Sequence, residues 1–484
     1  MITTIDSTAS SRVLQVERHI NPRRLFVASF LTLIVGGVVF ALRSSIIAEW
    51  GRSYGFTQAE LGGISGGGFT GFGLTIIFFS ALADRVGYGR LMAVAFVLHV
   101  VSAVVTLSAT PVFHAAGKGG AYWTLYVGQF LFALGNGTCE AVINPLTATL
   151  YPRERTHYLN ILHAGWPCGI IIGCLLSYAL VNQTPWEVQM GLFLIPTVLY
   201  GALMLRQRFP ISEVQAAGVS FATMLNEFAQ PVLLTLLFLH ALIGYVELGV
   251  DGWITNLMTA IASMNGILVL LYTSCIMFVL RFCAGPIAHR ISPLGLLFTC
   301  ACLACVGLLA LGKASTGLSV IAGATIYGVG KTFFWPTMLG VVSERFPKGG
   351  ALTMGTVAGV GMLSAGLLGT PGIGYVQDYY ASRQLSREAP AVYARFAADT
   401  QNRFLFFPAT IGLDGTKVGN LVAKPESQLS PIERDQRPLV NSARIYGGRM
   451  ALKWTALLPA ILALGYLALI LHFRSRGGYR RVDI

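Results

Sequence analysis

Glu140 is an acidic side chain inside an apolar run, and Asn136 and Asn144 flank it at intervals of four residues. On a helix that spacing lines all three along one face. In lipid an ionisable group is costly and ordinarily faces a bundle interior or a water-filled path, which makes Glu140 a candidate proton-binding group. Glu247 and Asp251 lie one turn apart in YVELGVDGW, Tyr245 to Trp253, where two carboxylates could hold a solute hydroxyl, a proton or a sodium ion. Asp251 could equally cap the outer end of its helix. Lys331 lies about 13 residues into an apolar segment, roughly 20 Å deep at 1.5 Å per residue. It needs a partner there, and Glu140 and Glu247 are the expected ones. Arg281 reads as a brace between helices. Trp335 offers an aromatic face for a solute or for packing, and His163 by itself reads as a helix-to-helix hydrogen bonder.

The elements that carry these residues are membrane spans. The chain has 484 residues, of which 54% are hydrophobic and only 11% charged, against roughly a quarter charged in soluble domains. Apolar stretches of about 18 residues or more recur along it, the pattern of a polytopic membrane protein. The net charge of +13 is scattered in short clusters between apolar segments, which fits membrane topology and argues against nucleic acid as a partner. Among the eight cysteines, Cys300, Cys302 and Cys305 superficially resemble a metal motif, but helical spacing scatters them, so packing is expected and no metal. No nucleophile–base constellation or phosphate loop is present, so neither enzymatic activity nor a cofactor is expected.

Spans are expected near 25–48, 61–82, 90–109, 121–149, 158–181 and 188–205, then near 231–259, 265–288, 293–312, 317–342, 350–375 and 451–473. Residues 1–24 form a polar N-terminal segment with no signal-peptide cleavage site. A polar linker, 206–230, separates an N-terminal bundle (25–205) from a C-terminal one (231–473) and contains a short surface helix at Phe221 to Phe228. Alternate connections carry the arginines, among them Arg23, Arg85, Arg153, Arg206, Arg290 and Arg345. The positive-inside rule makes that side cytoplasmic, with both termini and the tail 474–484 inside, in a cell (inner) membrane. Residues 376–450 then form an outer loop, for which Phe404 to Phe407 and Pro408 suggest a small core.

The second half echoes the first. Leu82 to Arg90 (LADRVGYGR) has a counterpart in Gly285 to Pro293 (GPIAHRISP), and the turn at Pro152 to Arg155 has one at Glu344 to Pro347. Such parallel repeats build two bundles facing each other across a midplane site. The turn Ala83 to Arg90 resembles the inter-helix signature of the major facilitator superfamily. Glu140, Asn144 and Pro145, then Leu159 to His163, Trp166 and Gly169, resemble its fucose, galactose and glucose:proton symporters, as do Phe334 to Thr337 and the glycine-rich 355–374 with Gln377 and Asp378. The resemblance implies an all-α fold of twelve transmembrane helices in two pseudo-symmetric six-helix bundles. It also implies Glu140 as the proton carrier, His163 and Trp166 at sugar contacts, and a cytoplasmic gate of Asp84, Arg85, Arg90, Arg153, Arg155, Glu344 and Arg345. Arg43 departs from it: a cation in span one resembles organic-anion carriers of the same superfamily.

The leading expectation is a monomeric secondary transporter that moves a small polar solute, a monosaccharide first, by alternating access coupled to a proton or else sodium. Asn136, Asn144, Glu247, Asp251, Lys331 and Trp335 join His163 and Trp166 as solute-site candidates. One alternative is an organic-anion carrier with Arg43 and Lys331 as the clamp. Another is a transporter-like sensor or scaffold acting through the 376–450 loop.

Overall fold

Lipid offers no partner to a backbone N–H or C=O, so each apolar run closes its hydrogen bonds within itself as a helix. The computed structural model describes residues 20–483 apart from 55, 57, 181, 182, 263–265, 399, 400 and 402, so residues 1–19 of the N-terminal segment lie outside the described residues. Twelve rods follow. The first six are α1 (Pro22–Tyr54), α2 (Gln58–Val86), α3 (Tyr88–Leu107), α4 (Ala109–Leu150), α5 (Arg155–His163 continued by Gly165–Leu180) and α6 (Trp186–Gly191 continued by Leu194–Met204). The second six are α7 (Pro231–Gly244 continued by Val250–Ala262), α8 (Gly266–Arg281 then Ala284–Ile291), α9 (Pro293–Leu311), α10 (Gly317–Lys331 then Phe334–Arg345), α11 (Gly350–Ser364 continued by Thr370–Glu388) and α12 (Pro431–Thr455 continued by Leu457–Arg474).

Among the described residues nine of these are long and apolar enough to cross a membrane on those criteria alone. The exceptions are α4, α8 and α10. α8 bends by 66° after Arg281, α4 is kinked at Gly117 and holds Pro145 in its interior, and α10 breaks after Lys331. These three rods also carry Glu140, Arg281 and Lys331. Exposed apolar side chains such as Leu74, Phe78, Val104, Phe238, Val279 and Leu464 face outward, as the lipid side of a membrane bundle requires.

The repeat is visible in the backbone. Gly87 precedes α3 at φ 90°, ψ 142°, and Ser292 precedes α9 at φ 65°, ψ 158°. Glycine takes that conformation freely. Ser292 is held there while its hydroxyl accepts a hydrogen bond from Gly295 N at 3.1 Å. Helices α7 and α11 each carry a π-helical turn, Tyr245–Gly249 and Ala365–Gly369, and the two turns pack together, with a Cβ at Gly249 only 3.0 Å from Gly369 Cα.

The connection between α11 and α12 is folded. α11 runs on to Glu388 and α12 starts at Pro431, with short helices Pro390–Phe396 and Gly415–Ala423 between them. Their core is Leu385, Phe396, Val418, Leu421, Leu429 and Val440. The Phe404 to Phe407 segment does not supply it: Phe406 is 86% exposed, and Phe404 packs instead on Tyr375 of α11 at 5.9 Å. The reason is positional, because amphipathic extensions of α11 and α12 already present buried stripes to each other. In the linker, Phe221–Asn226 is helical with Ser220 as its N-cap, and Met224 is buried with Val214 and Leu352 against the start of α11.

Close helix approach depends on absent side chains at particular places. A Cβ on Gly37 of α1 would lie 2.3 Å from Trp166 O and 2.9 Å from Gly169 Cα of α5, all backbone atoms that cannot yield. Gly37→Ala is therefore expected to lower stability by about 1–3 kcal/mol through overpacking. Gly119→Ala, where nothing lies within 4 Å of the new Cβ, should leave it unchanged. Thermal unfolding of the two purified variants in the same detergent checks the contrast.

Candidate functional site

Four of the expected solute residues, His163, Trp166, Glu247 and Trp335, come together with Glu140 between the two halves. Glu140 of α4 and His163 and Trp166 of α5 line one cavity with Glu247 and Leu248 of α7, Arg281 of α8, Trp335 of α10 and Met362 of α11. Asn144 Nδ2 donates to Glu140 Oε2 at 2.6 Å, and Asn144 Oδ1 meets His163 Nε2 at 2.9 Å. Helical spacing and Pro145 produce this arrangement: four residues separate the carboxylate from its amide, and α5 crosses where that amide projects. Glu140 is 5% exposed and makes no ion pair among the described residues. Trp335 packs edge-on to His240, with ring centroids 4.5 Å apart.

Arg281 is the residue whose weight sequence reasoning missed. It was read as a brace, and it does brace, but at the cavity and across both halves. Pro167 has no N–H, so the carbonyl four residues earlier, at His163, loses its helical partner. Pro336 does the same to Thr332. The fully buried guanidinium of Arg281 donates to both carbonyls, through NH1 to His163 O and through Nε to Thr332 O at 2.9 Å, while NH2 pairs with Glu247 Oε1 at 3.2 Å. One cation thus caps a proline-freed carbonyl in each half. The available signal was the pair of Trp-Pro dipeptides, Trp166-Pro167 and Trp335-Pro336, at matching places in the repeat.

Lys331 pairs with Asp251 at 2.5 and 2.6 Å, not with Glu140 or Glu247. The π turn at Tyr245–Gly249 inserts an extra residue into α7, so Glu247 and Asp251, though one turn apart in sequence, meet different cations. Asp251 is accordingly buried in a pair rather than serving as an outer cap. Arg43 and Asn136 lie apart from that cluster, in a neighbouring cavity with Phe40, Phe69, Phe72, Phe132 and Gln129. Trp166 borders both cavities. Arg43 makes one long hydrogen bond, 3.5 Å to Gln129 Oε1, and no ion pair among the described residues.

At the face bearing the arginine-rich turns the halves are fastened together. Arg155 donates to Ser343 O of α10 at 2.6 Å and grips both carboxylate oxygens of Glu213 in the linker at 2.6 Å. Thr156 donates to Glu344 Oε1 at 2.7 Å, and Asn160 to Thr337 at 3.1 Å. Asp84 lies by Gly350, where a Cβ would be 3.4 Å from its Oδ2, at the start of α11. Arg85 stacks over Phe221 at 4.7 Å, and Arg345 over Phe473 at 4.8 Å. Arg90 and Arg153 are exposed and take no part. The C-terminal tail supplies unforeseen straps: Arg481 donates to Pro152 O at 2.7 Å, Val482 N to Glu344 O at 2.9 Å, and the Tyr479 hydroxyl to Glu344 Oε2 at 2.8 Å.

Removing one partner of a buried ion pair leaves an uncompensated charge, at about 3–5 kcal/mol. Arg281→Gln should therefore destabilise the protein by that order, and Arg281→Gln combined with Glu247→Gln should recover a large part of the loss. Thermal midpoints of the two variants and of Glu247→Gln alone measure the coupling.

With the geometry in place, comparison with known proteins gives a consistent picture. A cis,cis-muconate transport protein of Acinetobacter baylyi is 30% identical over 182 residues, 37% of this chain and 41% of that protein. The niacin transporter NiaP of the same organism is 24% identical over 153 residues, 31% of this chain and 32% of that protein. The matches thus span less than half the length of either relative. The fold matches the E. coli fucose:proton symporter FucP with a TM-score of 0.62 at 15% identity, covering 91% of this chain and 98% of that one. Residues 18–371 match the sequence profile of the Major Facilitator Superfamily. An all-helical chain of two facing six-helix bundles, with its polar residues gathered between them, is a transporter rather than an enzyme, and this chain belongs to the Major Facilitator Superfamily.

Proposed function

We propose that this transporter carries a small organic carboxylate together with a proton by alternating access, in a cell membrane with its arginine-rich turns and both termini cytoplasmic. The observation that carries the reading is Arg43. Arg281 and Lys331 are each neutralised by a carboxylate of the protein, Glu247 and Asp251. Among the described residues Arg43 has no ion pair and one hydrogen bond, 3.5 Å to Gln129, in a cavity walled by Phe40, Phe69, Phe72, Phe132 and Trp166. A guanidinium offers a fork of donors that matches a carboxylate, and the rings suit the planar, apolar body of such an anion. The names of the two A. baylyi relatives, muconate and niacin transporters, both denote carboxylates and support the same class.

Charge then explains the coupling. Three cations, Arg43, Arg281 and Lys331, and three carboxylates, Glu140, Glu247 and Asp251, make up the charged set, with Arg281–Glu247 and Lys331–Asp251 paired directly. With all six ionised the set is neutral. A bound monoanion alone leaves one surplus negative charge, and a proton on Glu140 alone leaves one surplus positive charge. Anion and proton together restore neutrality. Because surplus charge inside the bilayer is costly, the empty and the doubly loaded carrier reorient and the half-loaded forms do not. For a monoanion the product is one-to-one symport, and a dianion such as muconate needs a second proton to reach the same neutrality. Glu140 holds the proton, Asn144 and His163 orient it, and Arg43 holds the anion.

A second reading is a monosaccharide symporter. Trp166 and Trp335 on the walls of the Glu140 cavity favour it, since an indole face suits the C–H groups of a pyranose. Competition against labelled uptake in proteoliposomes separates the two: inhibition by nicotinate and muconate supports the carboxylate reading, and inhibition by hexoses alone overturns it.

Two substitutions test the roles. Glu140→Gln should abolish accumulation driven by a proton gradient yet preserve exchange of labelled for unlabelled solute; concentrative uptake by that variant removes Glu140 from the coupling. For Arg43→Gln, losing one member of a buried charged pair costs about 2–5 kcal/mol, so the apparent KM for a carboxylate should rise at least about tenfold. An unchanged KM would place the anion elsewhere.

A further inference from the structure

A cavity of about 270 Å³ lies at the other end of the second half, against about 30 Å³ at the Glu140 cavity. It is built where the folded α11–α12 connection closes over the end of α7. Trp253 and Asn256 of α7, Gln377 of α11, Val418 of the connection and Arg444 of α12 line it. None of these residues belongs to the central site or to the basic-face latch.

Its polar lining comprises Arg444, Gln377, Asn256 and Asp378. The side chain of Arg444 makes no hydrogen bond or ion pair among the described residues, and Gln377 Nε2 is buried without an acceptor. Asp378, which also lines the cavity, is engaged by a partner of its own. Trp253 is fixed in orientation because its indole N–H donates to Thr370 O at 3.0 Å, and Gly374 packs against its ring, 3.1 Å from an added Cβ. A buried amide donor left unmet is destabilising, and the half-buried guanidinium of Arg444 adds a charged fork of donors at the cavity wall. A guanidinium with no protein acceptor among the described residues, an unmet amide donor and a clamped aromatic face together suit a ligand that brings acceptors and a flat apolar body.

We propose that this cavity is a second, outer binding site for a small organic carboxylate, held by Arg444 and Gln377 and stacked against Trp253. The site is built by the connection that lies outside the membrane-spanning bundles, which gives that folded segment a task distinct from reorientation. It does not depend on what the central site carries. A carboxylate bound there leaves Arg43 and Glu140 untouched, so the two sites fail independently.

The test is equilibrium dialysis of labelled nicotinate, and separately of cis,cis-muconate, against the purified full-length protein. In the Arg43→Gln background one saturable site should remain for at least one of the probes. Adding Arg444→Gln should abolish it, and adding Gln377→Leu should weaken it about tenfold. Ala260→Trp, which fills the cavity without removing a charge, should abolish it too and covers the case in which Arg444→Gln does not fold. Conversely, Arg444→Gln alone should still bind at the central site. The proposal is overturned if Arg43→Gln protein binds neither probe, or if binding in that background survives both Arg444→Gln and Ala260→Trp unchanged.

Discussion

Charge buried at membrane depth governs this molecule. Among the described residues three acidic and three basic side chains lie inside the two bundles and at their interface, and an ion removed from water costs several kcal/mol unless a partner and hydrogen bonds replace its hydration. Two of the six form a direct pair at Lys331 and Asp251, and two more meet at Arg281 and Glu247. Glu140 and Arg43 form no ion pair among the described residues, and their side chains hydrogen-bond to the amides of Asn144 and Gln129. Fully paired groups have no reason to exchange partners during a transport cycle. The two left over are the ones to which the proposed function assigns the proton and the anion.

The same economy explains why helices break where they do. Pro167 and Pro336 each strip a carbonyl of its helical donor, and a single guanidinium answers both from a third helix. The contact to Thr332 lies within one half; the contact to His163 spans the two. A reorienting carrier separates the halves on one face at a time, so the crossing arm of Arg281 is the one that must yield, while its arm to Thr332 and its ion pair with Glu247 travel with their own bundle. Placing this joint beside Trp166 and Trp335 puts it within reach of whatever the cavity holds.

On the face of the arginine-rich turns the closure is layered. Arg155 binds the opposite half and the linker at once, and the C-terminal tail ties Pro152 of one half to Glu344 of the other. The tail contacts are single hydrogen bonds near the surface, whereas Arg155 is buried, 7% exposed, against a Glu213 that is 34% exposed, so Arg155 is the stronger tie on this face. The α11–α12 connection is different in kind. It has an apolar core of its own and packs as a unit against the ends of α7, α11 and α12.

Much of this was legible in the residues themselves. Hydropathy located twelve spans because lipid permits little else, and the spacing of Asn136, Glu140 and Asn144 announced a polar helix face because helical periodicity is local. The repeat of turns at Gly87 and Ser292 could be read as text before it was seen as backbone geometry. Pairing could not. Lys331 had two expected partners and took a third, because the π turn at Tyr245–Gly249 rotates Asp251 to a different azimuth from Glu247, and such a turn depends on how α7 packs on α11. Arg281 gained its place because α5 and α10 bring two freed carbonyls to one point, a coincidence between segments more than a hundred residues apart in the chain. Local sequence determined which groups are polar, buried and in need of a partner. Only the tertiary structure decided which partner each one found, since that choice belongs to the distances between helices.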